Sequence, residues 1–136
     1  MSFTGAPNTP LRVQCYVTPS KFTGMMGNLA LAVTEACYLH AQGYTEAIFY
    51  GLQNYDSGGT FSAANKAKIS AIIDVFNTRG IECCVAFTGT NTLDATIDYN
   101  NTMATKFLGV VSENEAWNYS ANLPWVSQDA SGNRSF

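Results

Sequence analysis

The sequence predicts an α/β fold, with a parallel sheet of four strands and three crossover helices, forming half of a TIM-type barrel or a small open sheet. Short apolar segments of strand type recur four times along the chain. Stretches with apolar side chains at helical spacing separate them, and Gly43 and Gly80 stand just past the first two helical stretches. This alternation is typical of a parallel sheet with right-handed crossovers.

The first strand and helix are predicted from the periodicity of residues 11–42. Residues 11–17 alternate with the period of a strand, with Arg12, Gln14 and Tyr16 on the side opposite Leu11, Val13, Cys15 and Val17. Asn28 is suited to cap a helix with an apolar stripe of Leu29, Val33, Ala36 and Leu39. Gly43 would end that helix in the left-handed conformation.

The middle of the chain carries the strongest helical pattern. Ala47 to Leu52 is predicted as the second strand. Ser62 opens a helix whose apolar side chains recur at three- and four-residue spacing, namely Ile69, Ile72, Ile73 and Phe76. Gly80 ends this helix, and Ile81 to Phe87 is predicted as the third strand.

The last helix and strand have weaker patterns. Thr92 is predicted to cap a helix from Leu93 to about Thr105, and Phe107 to Val111 is predicted as the fourth strand. A single domain over residues 1–136 follows, with an N-terminal arm at 1–10, β/α repeats at 11–117 and an irregular aromatic tail at 118–136.

Composition excludes several classes of partner. The 136-residue chain has a net charge of −3 and only 12% charged residues, so it lacks the basic stripe that nucleic acids or anionic membranes require. No apolar run approaches the roughly 20 residues that span a bilayer. No metal-ligand cluster or phosphate-binding glycine loop is present, so no metal and no cofactor is predicted. Met1 to Pro10 lacks the pattern of a signal peptide, which leaves localisation open, including an extracellular or surface position.

The cysteines and the single histidine are predicted to be structural. Cys15, Cys37, Cys83 and Cys84 have neither metal spacing nor the density of a disulfide framework, and are expected to be small core residues. Cys83 and Cys84 should face opposite sides of their strand. His40 is expected near the end of a helix, without a catalytic role.

The carboxyl edge of the sheet is the expected location of a functional site. Two long connections, 18–27 and 53–61, leave this edge, whereas the helix-to-strand joints are tight. The fourth strand runs directly into Glu113, Asn114, Glu115 and Trp117. Ligands of parallel α/β sheets bind at that edge, so the two carboxylates are the catalytic candidates.

Residues 107–115 resemble the fourth-strand motif of the chitinase-like glycoside hydrolases, Phe-Asp-Gly-Ile-Asp-Ile-Asp-Trp-Glu. Phe107, Gly109 and Glu115 match, whereas Leu108, Val111 and Asn114 replace two aspartates and the tryptophan. The resemblance implies Glu115 as the general acid and Glu113 as the assisting carboxylate. The pair Asn114-Glu115 is also similar to the Asn-Glu pair that ends strand four in retaining (β/α)8 hydrolases.

A second resemblance covers residues 99–118, which are similar to barrel-like segments of bacterial surface proteins. That similarity implies no particular activity. The chain has about half of the ~250 residues of a complete (β/α)8 barrel. We therefore expect it to be incomplete as a glycosidase by itself.

Two functions remain open. The first is a carbohydrate-handling module derived from a glycoside-hydrolase-like barrel. Its substrate-binding residues would be Tyr50, Gln53, Asn54, Tyr55, Asn114 and Trp117, with Trp125 as a further aromatic platform. The second is a structural or self-assembling subunit of a filament, surface layer or virion. Four parallel strands leave two open edges, which a homodimer, a larger assembly or the chain's own tail would cover.

Overall fold

The computed structural model describes residues 12–87 and 89–112, together with the backbone of two short strands near the C-terminus. The strands are β1 (Gln14–Val17), β2 (Glu46–Phe49), β3 (Asp56–Ser57), β4 (Thr60–Phe61), β5 (Glu82–Phe87), β6 (Gly109–Ser112), β7 (Ser127–Gln128) and β8 (Arg134–Ser135). The helices are α1 (Pro19–Gly27), α2 (Leu29–Ala41), α3 (Ala63–Asn77) and α4 (Thr90–Thr102), with a 3-10 turn at Leu52–Asn54. None of these helices is long and apolar enough to cross a membrane.

Four strands form one parallel sheet in the order β1-β2-β5-β6, which confirms the predicted fold class. Strands β3 and β4 form a small antiparallel pair, and so do β7 and β8. The order in the main sheet follows the order along the chain. Among the described residues this sheet does not close into a barrel and remains open.

All four helices pack on one face of the sheet. Their buried side chains join Val17, Phe49 and Val85 of the strands in a single core. The opposite face, which we call the open face, carries a smaller buried cluster of Ile48, Cys84 and Ala86. A consecutive strand order with helices on one side is a singly wound topology, whereas a doubly wound sheet reverses its order and has helices on both faces.

The connection 18–27, predicted as a long loop, is a helix. Thr18 Oγ1 accepts a hydrogen bond from the Lys21 amide at 3.4 Å, and Pro19 occupies the first turn, where its missing N–H costs nothing. Phe22, Met25 and Met26 are buried at helical spacing. The first crossover therefore contains two helices, and the described domain has four helices, not three.

The connection 53–61 is also ordered. It contains the end of the 3-10 turn and the β3–β4 pair, with Gly58 and Gly59 at φ 58° and 81° between the two strands. Thr92 does not cap α4 as predicted, because the helix begins at Thr90 with Gly89 at the N-cap position. Thr92 Oγ1 instead donates to Asp56 Oδ2 at 2.7 Å and ties α4 to β3.

Most of the other predicted helix ends are confirmed. Asn28 Oδ1 accepts from the Ala30 amide at 3.1 Å, and Ser62 Oγ accepts from the Asn65 amide at 3.2 Å. Gly43 and Gly80 have φ of 82° and 73°. The four core side chains predicted for α3 are all buried. Strands β1 and β5 begin three residues and one residue later than predicted, β2 spans 46–49 instead of 47–52, and β6 spans 109–112 instead of 107–111.

The apolar stripe of α2 was predicted only in part. Ala36 and Leu39 are buried, but Leu29 and Val33 are 44% and 37% exposed. Ala32 takes a core position that the predicted stripe omitted. The reason is that α2 is apolar around most of its circumference, so the sequence does not define one buried stripe.

The cysteines have three kinds of environment, and all four are free thiols. Cys83 lies in the helix-side core and Cys84 on the open face, as the strand period predicted. Cys15 is half-buried. Cys37 is exposed on α2, so its prediction as a core residue was wrong. His40 lies in the last turn of α2, as expected.

Candidate functional site

Two tyrosines pack together on the open face near the carboxyl end of β1 and β2. The rings of Tyr16 and Tyr50 have centroids 5.4 Å apart and an interplanar angle of 73°, which is an edge-to-face contact. Tyr50 is half-buried against the cluster of Ile48, Cys84 and Ala86. Tyr16 is 61% exposed. The pair therefore presents an aromatic surface to solvent at the edge where parallel sheets bind ligands.

Two amides follow directly from this aromatic pair. Gly51 at φ 94° turns the chain, and the 3-10 turn buries Leu52 in the helix-side core while Gln53 and Asn54 stay exposed. The Asn54 amide donates to the Gly51 carbonyl at 3.1 Å, which fixes the turn. The sheet thus brings Tyr50, Gln53 and Asn54, all predicted substrate-binding residues, to the carboxyl end of one strand.

Gly51 is required at its position for a second reason. A Cβ atom built on it would lie 3.0 Å from both Cα and Cβ of Pro19, the first residue of α1. The turn after β2 therefore packs directly against the start of α1. This contact holds the Gln53–Asn54 turn beside the end of β1.

Tyr55 does not join the same surface. It is half-buried against the helix-side core, where its ring lies 5.7 Å from that of Phe22 at an interplanar angle of 77°. Its backbone carbonyl accepts a hydrogen bond from Asn65 Nδ2 at 3.1 Å. That Tyr55 contacts a sugar stays a prediction, and this packing does not favour it.

The remaining predicted site residues lie outside the described part of the chain. These are Glu113, Asn114, Glu115, Trp117 and Trp125. The described chain reaches Ser112, which pairs with Phe87 at the carboxyl end of β6. The catalytic assignments of Glu113 and Glu115 therefore stay predictions.

Tyr16 was not predicted as a site residue, although its position in the strand was. The alternation of residues 11–17 places Tyr16 with Arg12 and Gln14, on the side opposite the core residue Val17. The alternation predicts that Tyr16 lies on the face of the strand opposite the core, and this position could have marked it as a candidate binding residue. Strand alternation does not indicate how close the Tyr16 ring lies to that of Tyr50.

A carboxylate is buried at the amino end of the open face. Glu46 is 4% exposed, and its Oε1 accepts from Gln14 Nε2 at 2.8 Å and from the Cys84 thiol at 3.2 Å. Its Oε2 lies 3.3 Å from Arg12 Nη1, which also contacts Glu82 at 3.5 Å. Every oxygen of Glu46 is thus engaged, which suits a structural role better than proton transfer.

The thiol of Cys84 is held in its protonated form by this environment. Burial raises the pKa of Cys84 to about 12, with further contributions from the hydrogen bond to Glu46 and from its negative charge. A thiol in that state is a poor nucleophile at neutral pH. Cys84 therefore packs and donates a hydrogen bond and is not a catalytic candidate.

A cavity of about 560 Å³ opens at the amino edge of the sheet. Arg12 and Lys106 are the cations that line it, together with Glu82 and the apolar side chains of Ile81 and Leu108. Lys106 Nζ donates to the backbone carbonyls of Asn100, at the end of α4, and Met103. Arg12 is engaged as well, by the carboxylates of Glu46 and Glu82.

The described residues contain no group of three His, Cys, Asp or Glu side chains able to hold a metal ion.

Comparisons of the chain with protein-family models, with curated proteins and with solved structures found no match. The candidate site is therefore inferred from the sequence and from its own geometry.

Proposed function

We propose that this protein is a carbohydrate-binding module derived from a glycoside-hydrolase-like barrel. One observation carries the proposal. An exposed tyrosine, Tyr16, makes an edge-to-face contact with Tyr50 on the open face, and the exposed amides of Gln53 and Asn54 follow Tyr50 in the turn at the carboxyl end of β2.

The chemistry of this surface fits a neutral sugar. Aromatic rings make apolar contact with the C–H faces of pyranose rings, and planar amides donate to and accept from hydroxyl groups. Tyr16, Tyr50, Gln53 and Asn54 are polar residues without a formal charge. A polyhydroxylated neutral ligand is therefore favoured over a phosphate or a carboxylate.

The proposal extends to the acidic pair that follows β6, with Glu115 as general acid and Glu113 assisting. Glycoside hydrolysis needs two carboxyl groups roughly 5 to 9 Å apart across the scissile bond, or a substrate acetamide in place of one. In the glycoside-hydrolase barrels that residues 107–115 resemble, the partners of the strand-four acid lie on later strands. We therefore propose binding as the principal activity, with hydrolysis dependent on Glu115.

Binding is tested by calorimetric titration with soluble β-glucan and chitin oligosaccharides. Tyr16→Ala should weaken binding roughly tenfold, which corresponds to about 1.4 kcal/mol and is of the size expected for a lost aromatic contact. Tyr38→Ala is the matched control, because Tyr38 is 58% exposed on α2, away from the open face. Equal affinities for the two variants would contradict the proposed surface.

Hydrolysis is tested separately with the same oligosaccharides. If the wild-type protein cleaves them, Glu115→Gln should reduce the rate by at least a hundredfold while binding is retained, since the amide cannot donate the proton. Cleavage that survives this change would remove Glu115 from the proposal but leave the binding surface intact.

Self-assembly is the second candidate function, and the edge strands favour it. Among the described strands, β1 and β6 each pair on one side only, and Tyr16 and Val110 are exposed on them, at 61% and 44%. Val110→Lys should then dissociate an oligomer that forms through these strand edges, as light scattering would measure. Ile97→Lys, which changes a residue 51% exposed on α4, should not. A wild-type protein that is monomeric at high concentration would exclude edge pairing.

A further inference from the structure

The angle between the two open-face tyrosines limits what this surface can bind. The rings of Tyr16 and Tyr50 have an interplanar angle of 73° and centroids 5.4 Å apart. Two rings at that angle cannot both lie flat against one planar surface. A crystalline polysaccharide such as cellulose or chitin presents a planar surface of aligned sugar rings, so only one of the two tyrosines could stack on it.

The strand pairing fixes the positions of both tyrosines. Tyr16 is paired with Ile48 in the parallel register of β1 and β2, and Tyr50 follows Ile48 by two positions and packs on the same face. The Tyr50 amide donates to the Val17 carbonyl at 3.0 Å, which continues the pairing beyond the end of β2. The two tyrosines are therefore diagonal neighbours on adjacent strands.

Packing restrains the angle between the rings. Tyr50 is half-buried against Ile48, Cys84 and Ala86, whereas Tyr16 is exposed, so Tyr16 has the greater freedom to turn. Turning it parallel to Tyr50 at the same place would give up the edge-to-face contact, which is a preferred arrangement of two aromatic rings. We therefore expect the angle to persist when a ligand binds.

Two rings at a steep angle form a corner, and a corner suits one sugar unit. A pyranose can place its C–H face on one ring while its rim contacts the other. The exposed amides of Gln53 and Asn54 follow Tyr50 in the turn, and each offers a carbonyl acceptor and an NH2 donor. This small set of polar groups suits the hydroxyls of one sugar better than those of a row of sugars.

We infer that the site binds a single pyranose unit, free or within a soluble chain, and not the surface of a crystalline polysaccharide. The inference rests on the proposed function and names the substrate class of the same site. A second sugar unit gains no second parallel ring from Tyr16 and Tyr50. The affinity for each sugar unit should therefore change little as the chain becomes longer.

Amide chemical-shift titrations with sugars of increasing length test how many units are bound. The probes are the methyl β-glycosides of glucose and N-acetylglucosamine and the corresponding β-linked di-, tri- and hexasaccharides. Within the series that binds, we expect the dissociation constants, corrected for the number of units in each chain, to agree within about threefold. A larger gain in affinity with length would overturn the inference, because several units would then be in contact.

Depletion of the protein by suspended crystalline cellulose or chitin tests the other part of the inference. We expect the wild-type protein to stay in the supernatant with both solids. Retention that Tyr16→Ala abolishes would overturn the inference, because the site would then bind a crystalline surface. Tyr38→Ala, which changes an exposed tyrosine on α2, is the matched control in both assays and should behave as the wild type. Circular dichroism of both variants establishes that the fold is retained.

Failure of this inference and failure of the proposed function give different results. Affinity that grows with chain length, or Tyr16-dependent retention on a solid, would contradict single-unit binding and leave sugar binding at the open face in place. No chemical-shift change with any of these sugars at millimolar concentration would contradict both.

Discussion

At the scale of single residues, burial decides how much an ion pair contributes to the stability of the fold. Arg12 contacts two carboxylates at similar distances, 3.3 Å for Glu46 and 3.5 Å for Glu82. The Glu46 side chain is 5% exposed and that of Glu82 is 51% exposed. The Arg12 side chain is 60% exposed in both pairs, but water screens the Glu82 carboxylate more than that of Glu46, so the two contacts should differ in energy although their distances are alike.

Glu46→Ala is expected to lower the free energy of unfolding by about 2 kcal/mol, because Gln14 and the Cys84 thiol lose their acceptor at a buried position. Glu82→Ala should lower it by less than about 0.5 kcal/mol. Urea denaturation of the two variants measures both. Similar losses would mean that the carboxylate of Glu46 is not buried as described.

The Cys84 thiol makes stability depend on pH in the alkaline range. Its pKa is raised from 9.0 to about 12 in the folded protein, so the unfolded chain ionises first as pH rises. This contribution to stability is complete below about pH 9 and is lost as the pH approaches 12. Wild-type protein should therefore lose stability more steeply between these values than Cys84→Ala does, as thermal unfolding at a series of pH values would measure. Parallel curves would contradict the assignment.

The residue scale was the least predictable from sequence. Strand alternation placed Cys83 and Cys84 on opposite faces correctly. It gave no sign that Glu46 would be buried, because burial of a carboxylate depends on partners from two neighbouring strands. Nor did it predict that Tyr50 and Tyr55, which are five positions apart in the sequence, lie on opposite sides of the sheet.

At the scale of elements, two of the three predicted caps and both terminating glycines were confirmed, whereas loop-like composition was misleading. Asn28, Ser62 and Gly43 act through local hydrogen bonds or backbone conformation, so the sequence around them suffices. Helix α1 was missed because it contains Gly24 and ends at Gly27. Each glycine costs a helix about 1 kcal/mol, and burial of Phe22, Met25 and Met26 outweighs that cost only once the core exists.

The turn after β2 offers a test at this scale. Gly51→Ala combines a left-handed backbone with a Cβ 3.0 Å from Pro19, and should destabilise the fold by about 3 kcal/mol. Gly43→Ala has a similar φ but no atom within 4 Å of the added Cβ, and should cost about 1 kcal/mol. Chemical denaturation of the two variants measures both losses in the free energy of unfolding. Equal losses would show that the turn does not pack on α1.

At the scale of the whole molecule, the chain forms a four-stranded parallel sheet with its helices on one face. The regular alternation of strand and helix patterns was sufficient to predict the class and the four-stranded parallel sheet. What composition could not predict is which apolar surfaces stay exposed. The outer side of α2 and the open-face tyrosines share the residue types of the core, and only packing separates them.

Sugar binding at the open face is the central claim, and its most direct test is an amide chemical-shift titration with a soluble β-glucan or chitin oligosaccharide. We expect saturable shifts centred on Tyr16, Tyr50, Gln53 and Asn54, with the amides of α2 unaffected. Shifts confined to α2, or no shifts at millimolar oligosaccharide of either class, would contradict it.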